Sequence, residues 1–192
     1  MRRSAIAGLA AVGFSLTVAS VSFAQKTKPV ETFQAFAASL GTGRSSIITV
    51  TVNRWSTDEE REKLLTTLQE FGTDKLVDAL QKIRPPVGFM RTPNSRGYTL
   101  YYARNLPNPD GTRRVIVATD RPVAFAEAAN STRSMQYRVT LIEIHLDKDG
   151  KGEGKMVPAA RISWDKDKKK LEIENYGALP VDLMSVTAKT PK

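Results

Sequence analysis

From Pro86 to the C-terminus the chain is a succession of short β-branched and aromatic runs separated by turn-forming clusters, and this punctuation constrains the fold more than any other feature. The runs are Val87–Thr92, Tyr98–Leu106, Arg113–Asp120, Met135–Leu146, Lys155–Trp164, Lys169–Asn175 and Val181–Ala188. Between them lie Pro93-Asn94-Ser95-Arg96-Gly97, Pro107-Asn108-Pro109-Asp110-Gly111, Asp147–Gly154, Asp165–Lys168 and Tyr176–Pro180, all rich in residues that tolerate turn geometry. Parallel neighbours need long crossovers, usually helical, so strands this closely spaced predict an antiparallel meander. Arg121 to Ser134 is less regular, with room for one helical turn at Phe125–Ala129. The strand from Met135 changes face midway: Tyr137, Val139 and Leu141 are apolar at odd positions, Ile142, Ile144 and Leu146 at even ones. Such a switch predicts a bulge or a passage between packing layers.

The first half reads as helical with one strand. Phe33, Phe36, Ala37 and Leu40 have helical spacing over Glu31–Leu40, with Gly41 as a stop. Ile47 to Trp55 alternates as a half-buried strand. Ser56 to Glu59 has the form of a capping box, and Asp58, Glu59 and Glu60 place negative charge at the helix start. Leu64, Leu65, Leu68 and Phe71 form an apolar stripe, Gly72-Thr73 marks a break, and Leu76, Val77, Leu80 and Ile83 continue to Pro85-Pro86. The expected fold is therefore α+β: an N-terminal helix and an amphipathic helical pair on a meander-like, largely antiparallel sheet of about seven strands, able to curl into a half-barrel.

The N-terminus predicts export. Met1-Arg2-Arg3-Ser4 is basic, Ala5–Val21 is apolar and uncharged, and Ser22-Phe23-Ala24 supplies small residues flanking a cut before Gln25. Residues 1–24 are thus expected to be a signal peptide, though retention as an anchor is the alternative; residues 25–192 form one domain with a flexible tail at 25–30. Removal takes Arg2 and Arg3 but no acid, so the formal charge of +9 falls to +7. No later run approaches a transmembrane length. The chain has no cysteine, which excludes disulfides, thiol catalysis and Cys-based zinc sites, and its single histidine excludes sites needing two.

Few motifs carry chemistry. Glu143 and His145 share one face of a strand and could serve a carboxylate/His hydrolase, but the nucleophile elbow Gly-x-Ser-x-Gly is absent. Asp147, Asp149 and Glu153 resemble the opening of a calcium loop; counted from Asp147, however, Lys151 takes the fifth position and Pro158 the twelfth, so the loop reads as a solvated hairpin tip. Gly150-Lys151-Gly152-Glu153-Gly154-Lys155 lacks the spacing and the Ser/Thr of a phosphate loop. Arg84, Arg91, Arg96, Arg104, Arg113, Arg114 and Arg121 gather around the first hairpin, with Tyr98, Tyr101 and Tyr102 on its strands. Arg104, Arg113, Arg114 and Tyr101 are the candidate patch for an anionic partner; edge-strand protection against aggregation accounts for the same charges. No cofactor is expected.

Trp55-Ser56-Thr57-Asp58-Glu59-Glu60, Ala118-Thr119-Asp120-Arg121-Pro122, Leu141-Ile142-Glu143 and Glu174-Asn175-Tyr176-Gly177 resemble segments of an uncharacterised family of small exported bacterial proteins. The resemblance implies export and brings neither an activity nor site residues. The expected function is a non-enzymatic periplasmic or secreted domain that binds a partner or ligand, of unknown identity, on its sheet or basic hairpin; an anionic envelope component or acidic protein is the candidate partner. A hydrolase built on Glu143 and His145 and a structural envelope component are the alternatives. Export argues against a nucleic-acid partner.

Overall fold

The computed structural model describes residues 28–39, 43–93, 95–123, 137–175 and 180–191. The expected signal peptide, the start of the tail, the turn at Phe125–Ala129 and the cluster at 176–179 lie outside these residues. The elements are β1 (Glu31–Ser39), β2 (Arg44–Val52), α1 (Asp58–Gln81), β3 (Gly88–Arg91), β4 (Tyr98–Pro107), β5 (Arg113–Thr119), β6 (Val139–Leu146), β7 (Lys151–Asp165), β8 (Lys170–Asn175) and β9 (Val181–Lys189).

The sheet closes. Strands β1 to β6 pair in chain order, β6 pairs with β7, β7 with β9, and β9 with β1, every pair antiparallel. Among the described residues this is an eight-stranded barrel with β8 attached outside the ring and one helix, which overturns the expectation of an N-terminal helix and a helical pair on an open or half-closed sheet.

The expected N-terminal helix is strand β1, and the closure depends on it. Phe33, Ala35 and Ala37 are buried at period two, whereas Phe36, which a helix would have needed on its core face, is 42% exposed. Two periodicities fit the same apolar letters here, and pairing with β2 and β9 decides between them.

Closure also needs backbones to approach closely where β7 meets β6 and β9. Gly152 and Gly154 make this possible: a Cβ at Gly154 would collide with the carbonyl oxygen of Glu143. Ser185 at φ 51° kinks β9 beside them, with register shifts against both neighbours.

Eight strands enclose an interior just wide enough for side chains to fill. Phe33, Ile48, Met90, Leu100, Ile142 and Met156 fill it, each under 2% exposed. Arg113 points inward at one end, its guanidinium held by both oxygens of the buried Glu31 carboxylate and lying 5.8 Å from the Phe33 ring centre. The outer face carries Arg104, Arg114, Glu143, Glu153 and Lys155, the reverse of a transmembrane barrel, which is apolar outside and polar within. Among the described residues no helix is long and apolar enough to cross a membrane.

Helix α1 lies outside the barrel, against β7 and β4. Its capping box is one residue later than the sequence suggested. The Thr57 hydroxyl accepts from the Glu60 amide, and Glu60 accepts from the Thr57 amide. Ser56 is instead buried against β4, where its hydroxyl accepts from Ala103 N–H. Gly72 leaves helical geometry at φ 78°, ψ −170°, and Phe71 is turned out to solvent.

A bulge in β4 corrects the simple alternation expected there. Leu100 and Ala103 both face the interior, because the pairing with β5 shifts between Leu100 and Tyr102. The expected change of face in β6 does not occur: Ile142, Ile144 and Leu146 fill the barrel while Val139 and Leu141, on the other face throughout, meet the helix side, and the irregularity is a register shift against β7 between Val139 and Leu141.

Candidate functional site

Strand β7 is longer than the barrel requires. Its first part pairs with β6 and β9, Ala160 pairs with both β6 and β8, and from Arg161 to Asp165 it pairs with β8 alone. The β7–β8 hairpin therefore overhangs the outer face of β4, β5 and β6 beside the helix. Between hairpin, helix and barrel lies a cleft of about 540 Å³, within the size range of small-molecule sites.

The register explains how the cleft floor is built. Tyr102, Ala118 and Leu141 form one row across β4, β5 and β6; Arg104, Ile116 and Glu143 form the next; Leu106, Arg114 and His145 form the third. The first row continues into Val139 and Ile162 and is apolar apart from the Tyr102 hydroxyl, while the second and third bring charge. Leu64, Leu68, Leu76 and Leu80 form the helix wall, and Leu171 and Ile173 the hairpin wall. These last two are 45% and 47% exposed, so the cleft is open to solvent along β8.

The helix is held over the floor by polar contacts along its length. Asp58 pairs with Arg104 at the start. Arg54 holds Glu60 through two bonds of 2.9 and 2.8 Å and also donates to the Pro85 carbonyl. The Thr73 hydroxyl donates to the Ile162 carbonyl at 2.5 Å beside the kink, and Gln81 donates to Asp120 near the end. The hydrogen bond and charge of Arg104 hold the Asp58 carboxyl below its ordinary range, and the bond from Arg54 does the same for Glu60. Burial pushes the Tyr102 phenol up, so it faces the cleft as a neutral hydroxyl.

The candidate basic patch is divided by this geometry. Arg113 is turned into the barrel and engaged by Glu31, while Arg104 and Arg114 face the cleft. Tyr101 packs in the helix-side cluster, with Arg84 5.7 Å from its ring centre. Glu143 and His145 do meet, Nε2 to Oε1 at 3.0 Å, and Arg114 reaches the same oxygen at 3.3 Å. They line a second hollow of about 650 Å³ on the face of β6, β7 and β9, with Glu153, Lys155, Asp182 and Met184. Lys155 sits in register between Glu143 and Asp182, and the His145 side chain is 63% exposed. Among the described residues no hydroxyl or thiol lines this hollow.

The calcium-loop candidates are a turn. Asp147 Oδ1 accepts from the amides of Asp149 and Lys151, and Glu153 lies on the outer face opposite His145. Among the described residues no three His, Asp or Glu side chains are grouped to hold a metal ion.

The cleft itself was not anticipated. Its signal in the sequence was the unbroken apolar run Val115–Ala118, which implies a strand covered on both faces.

No protein-family model, curated protein or solved structure matches this chain. No site residue can therefore be carried over from a relative, and the functional reading rests on the geometry above.

Proposed function

We propose that the protein is an exported, non-enzymatic binding domain whose ligand occupies the cleft between α1, the outer barrel face and the β7–β8 hairpin. The observation that carries this reading is the retention of about 540 Å³ of apolar-lined space beside a barrel whose own interior is filled. Leaving side chains such as Leu171 and Ile173 half open costs the fold burial it could otherwise gain, a pattern typical of surfaces that bind. The export half of the proposal rests on the leader-like residues 1–24 and on the resemblance to small exported proteins.

Binding fits better than hydrolysis at Glu143 and His145. That pair is solvated, and burial is what most often tunes an acid–base pair for catalysis.

The test is fluorescence titration with the neutral dye Nile red. The protein should bind it saturably, and Leu171→Gln/Ile173→Gln should weaken binding about tenfold or more while leaving thermal unfolding nearly unchanged. Undiminished binding by the double variant would remove the cleft from the function.

A further inference from the structure

We infer that the ligand is a single-chain amphiphile with an anionic head, its tail lying along the Tyr102–Ala118–Leu141 row and its head held by Arg61, Arg104 and Arg114. This rests on the cleft being the binding site and adds which molecule it takes.

The argument is the polarity of the cleft along its length. The strand register puts the apolar row and its continuation into Val139 and Ile162 on one side and the charged rows on the other, so the floor changes from hydrocarbon to guanidinium within two rows. Helix α1 runs in the same sense. Arg61, in its second turn, lies toward Arg104, whose partner Asp58 begins the helix, while Leu76 and Leu80 cover the apolar end near Ala118 and Ile162.

Among the residues lining the cleft, three guanidiniums face one carboxylate, Glu143. From outside the cleft Asp58 engages Arg104 through Nη1 and Glu62 lies 3.9 Å from Arg61 Nη1, and within it Glu143 engages Arg114 through Nη1. A guanidinium carries five N–H donors in a fork suited to carboxylate or phosphate, so each keeps donors for a second acceptor. A neutral hydrophobe would leave these groups unused, and a cationic head would meet like charge.

The chemistry shared by the candidates is an anionic oxygen head on one alkyl chain, and both carboxylate and phosphate satisfy it. Isothermal titration of the protein at pH 7.5 with dodecanoate, dodecyl phosphate, dodecanol and dodecyltrimethylammonium, all below their micellar concentrations, tests this inference. The two anions should bind about tenfold or more tighter than the alcohol, and the cation should bind most weakly. Arg61→Gln/Arg114→Gln should abolish the preference while leaving dodecanol affinity within about twofold; both side chains are about half exposed, so the fold should persist. Shortening the carboxylate should weaken binding by about fourfold per methylene.

Equal affinity for dodecanol and dodecanoate, or a preference that survives the double arginine variant, overturns the head-group assignment while Nile red binding would leave the cleft intact. Co-sedimentation with phosphatidylglycerol vesicles in the absence of any dodecanoate binding would also overturn it, because the occupant would then be a bilayer surface.

Discussion

The barrel interior and the cleft beside it are both apolar, yet one is filled and the other is not. Inside, side chains from β1–β7 and β9 converge and leave Phe33, Ile142 and Met156 almost wholly inaccessible. Outside, α1 buries Leu64, Leu68, Leu76 and Leu80 in a second cluster with Ala118, Val139 and Ile162, while β8 leaves Leu171 and Ile173 half exposed. The difference lies in what sets the spacing. In the interior it is fixed by the strand number, which side chains alone can fill. Beside the cleft the helix is tied to the barrel both by its buried leucines and by the polar contacts Asp58–Arg104, Thr73 to Ile162 and Gln81–Asp120. The same strands thus turn one face to a filled interior and the other to an open cleft.

The sharpest way to break this comparison is to truncate each region alike. Phe33→Ala in the interior should cost about 3–5 kcal/mol of unfolding free energy in a denaturant titration. Ile173→Ala, already 47% exposed, should cost well under 1 kcal/mol. Comparable losses would mean that the cleft is part of the core. Next in size is the closure itself. Gly154→Ala should destabilise the barrel by about 1–3 kcal/mol, because the new methyl group would run into the Glu143 carbonyl oxygen and one strand must yield.

The strands were legible in the sequence, and their closure was not. Every run after Pro86 contains an observed strand, because alternation and turn chemistry are local properties. Closure turns on β1, where Phe33, Phe36 and Ala37 satisfy helical spacing as readily as Phe33, Ala35 and Ala37 satisfy strand spacing. Pairing with β2 and with the distant β9 separates the two readings, through partners such as Phe36 with Ile47 and with Met184. The site was less legible still. Its walls come from α1, β4 to β6 and the end of β7 with β8, so residues as distant in sequence as Leu68 and Ile173 line one cleft. Residue type gave partial guidance: Arg104 and Arg114 were singled out and do face the cleft, but the adjacent Arg113 points inward because strand residues alternate in direction.

The smallest effect expected concerns the ties at the helix start, and it separates the two regions by pH. Asp58 and Glu60 have carboxyls held below their ordinary range by Arg104 and Arg54. A depressed carboxyl contributes stability above its unfolded pKa and loses it as pH falls through the folded value. The docking of α1 should therefore be constant from neutral pH down to about 5 and weaken progressively below about 4. Between the described barrel strands the pairing is main-chain hydrogen bonding, which does not titrate in this window. Acidification to about pH 3 should accordingly reduce Nile red binding in the cleft before far-ultraviolet circular dichroism reports loss of the sheet. Thr57→Ala, which removes the cap that Glu60 reciprocates, should cost about 1 kcal/mol at neutral pH and move the acid loss of binding to higher pH. Simultaneous loss of sheet signal and dye binding would show that helix and barrel form one cooperative unit and that the polar ties do not set the cleft independently.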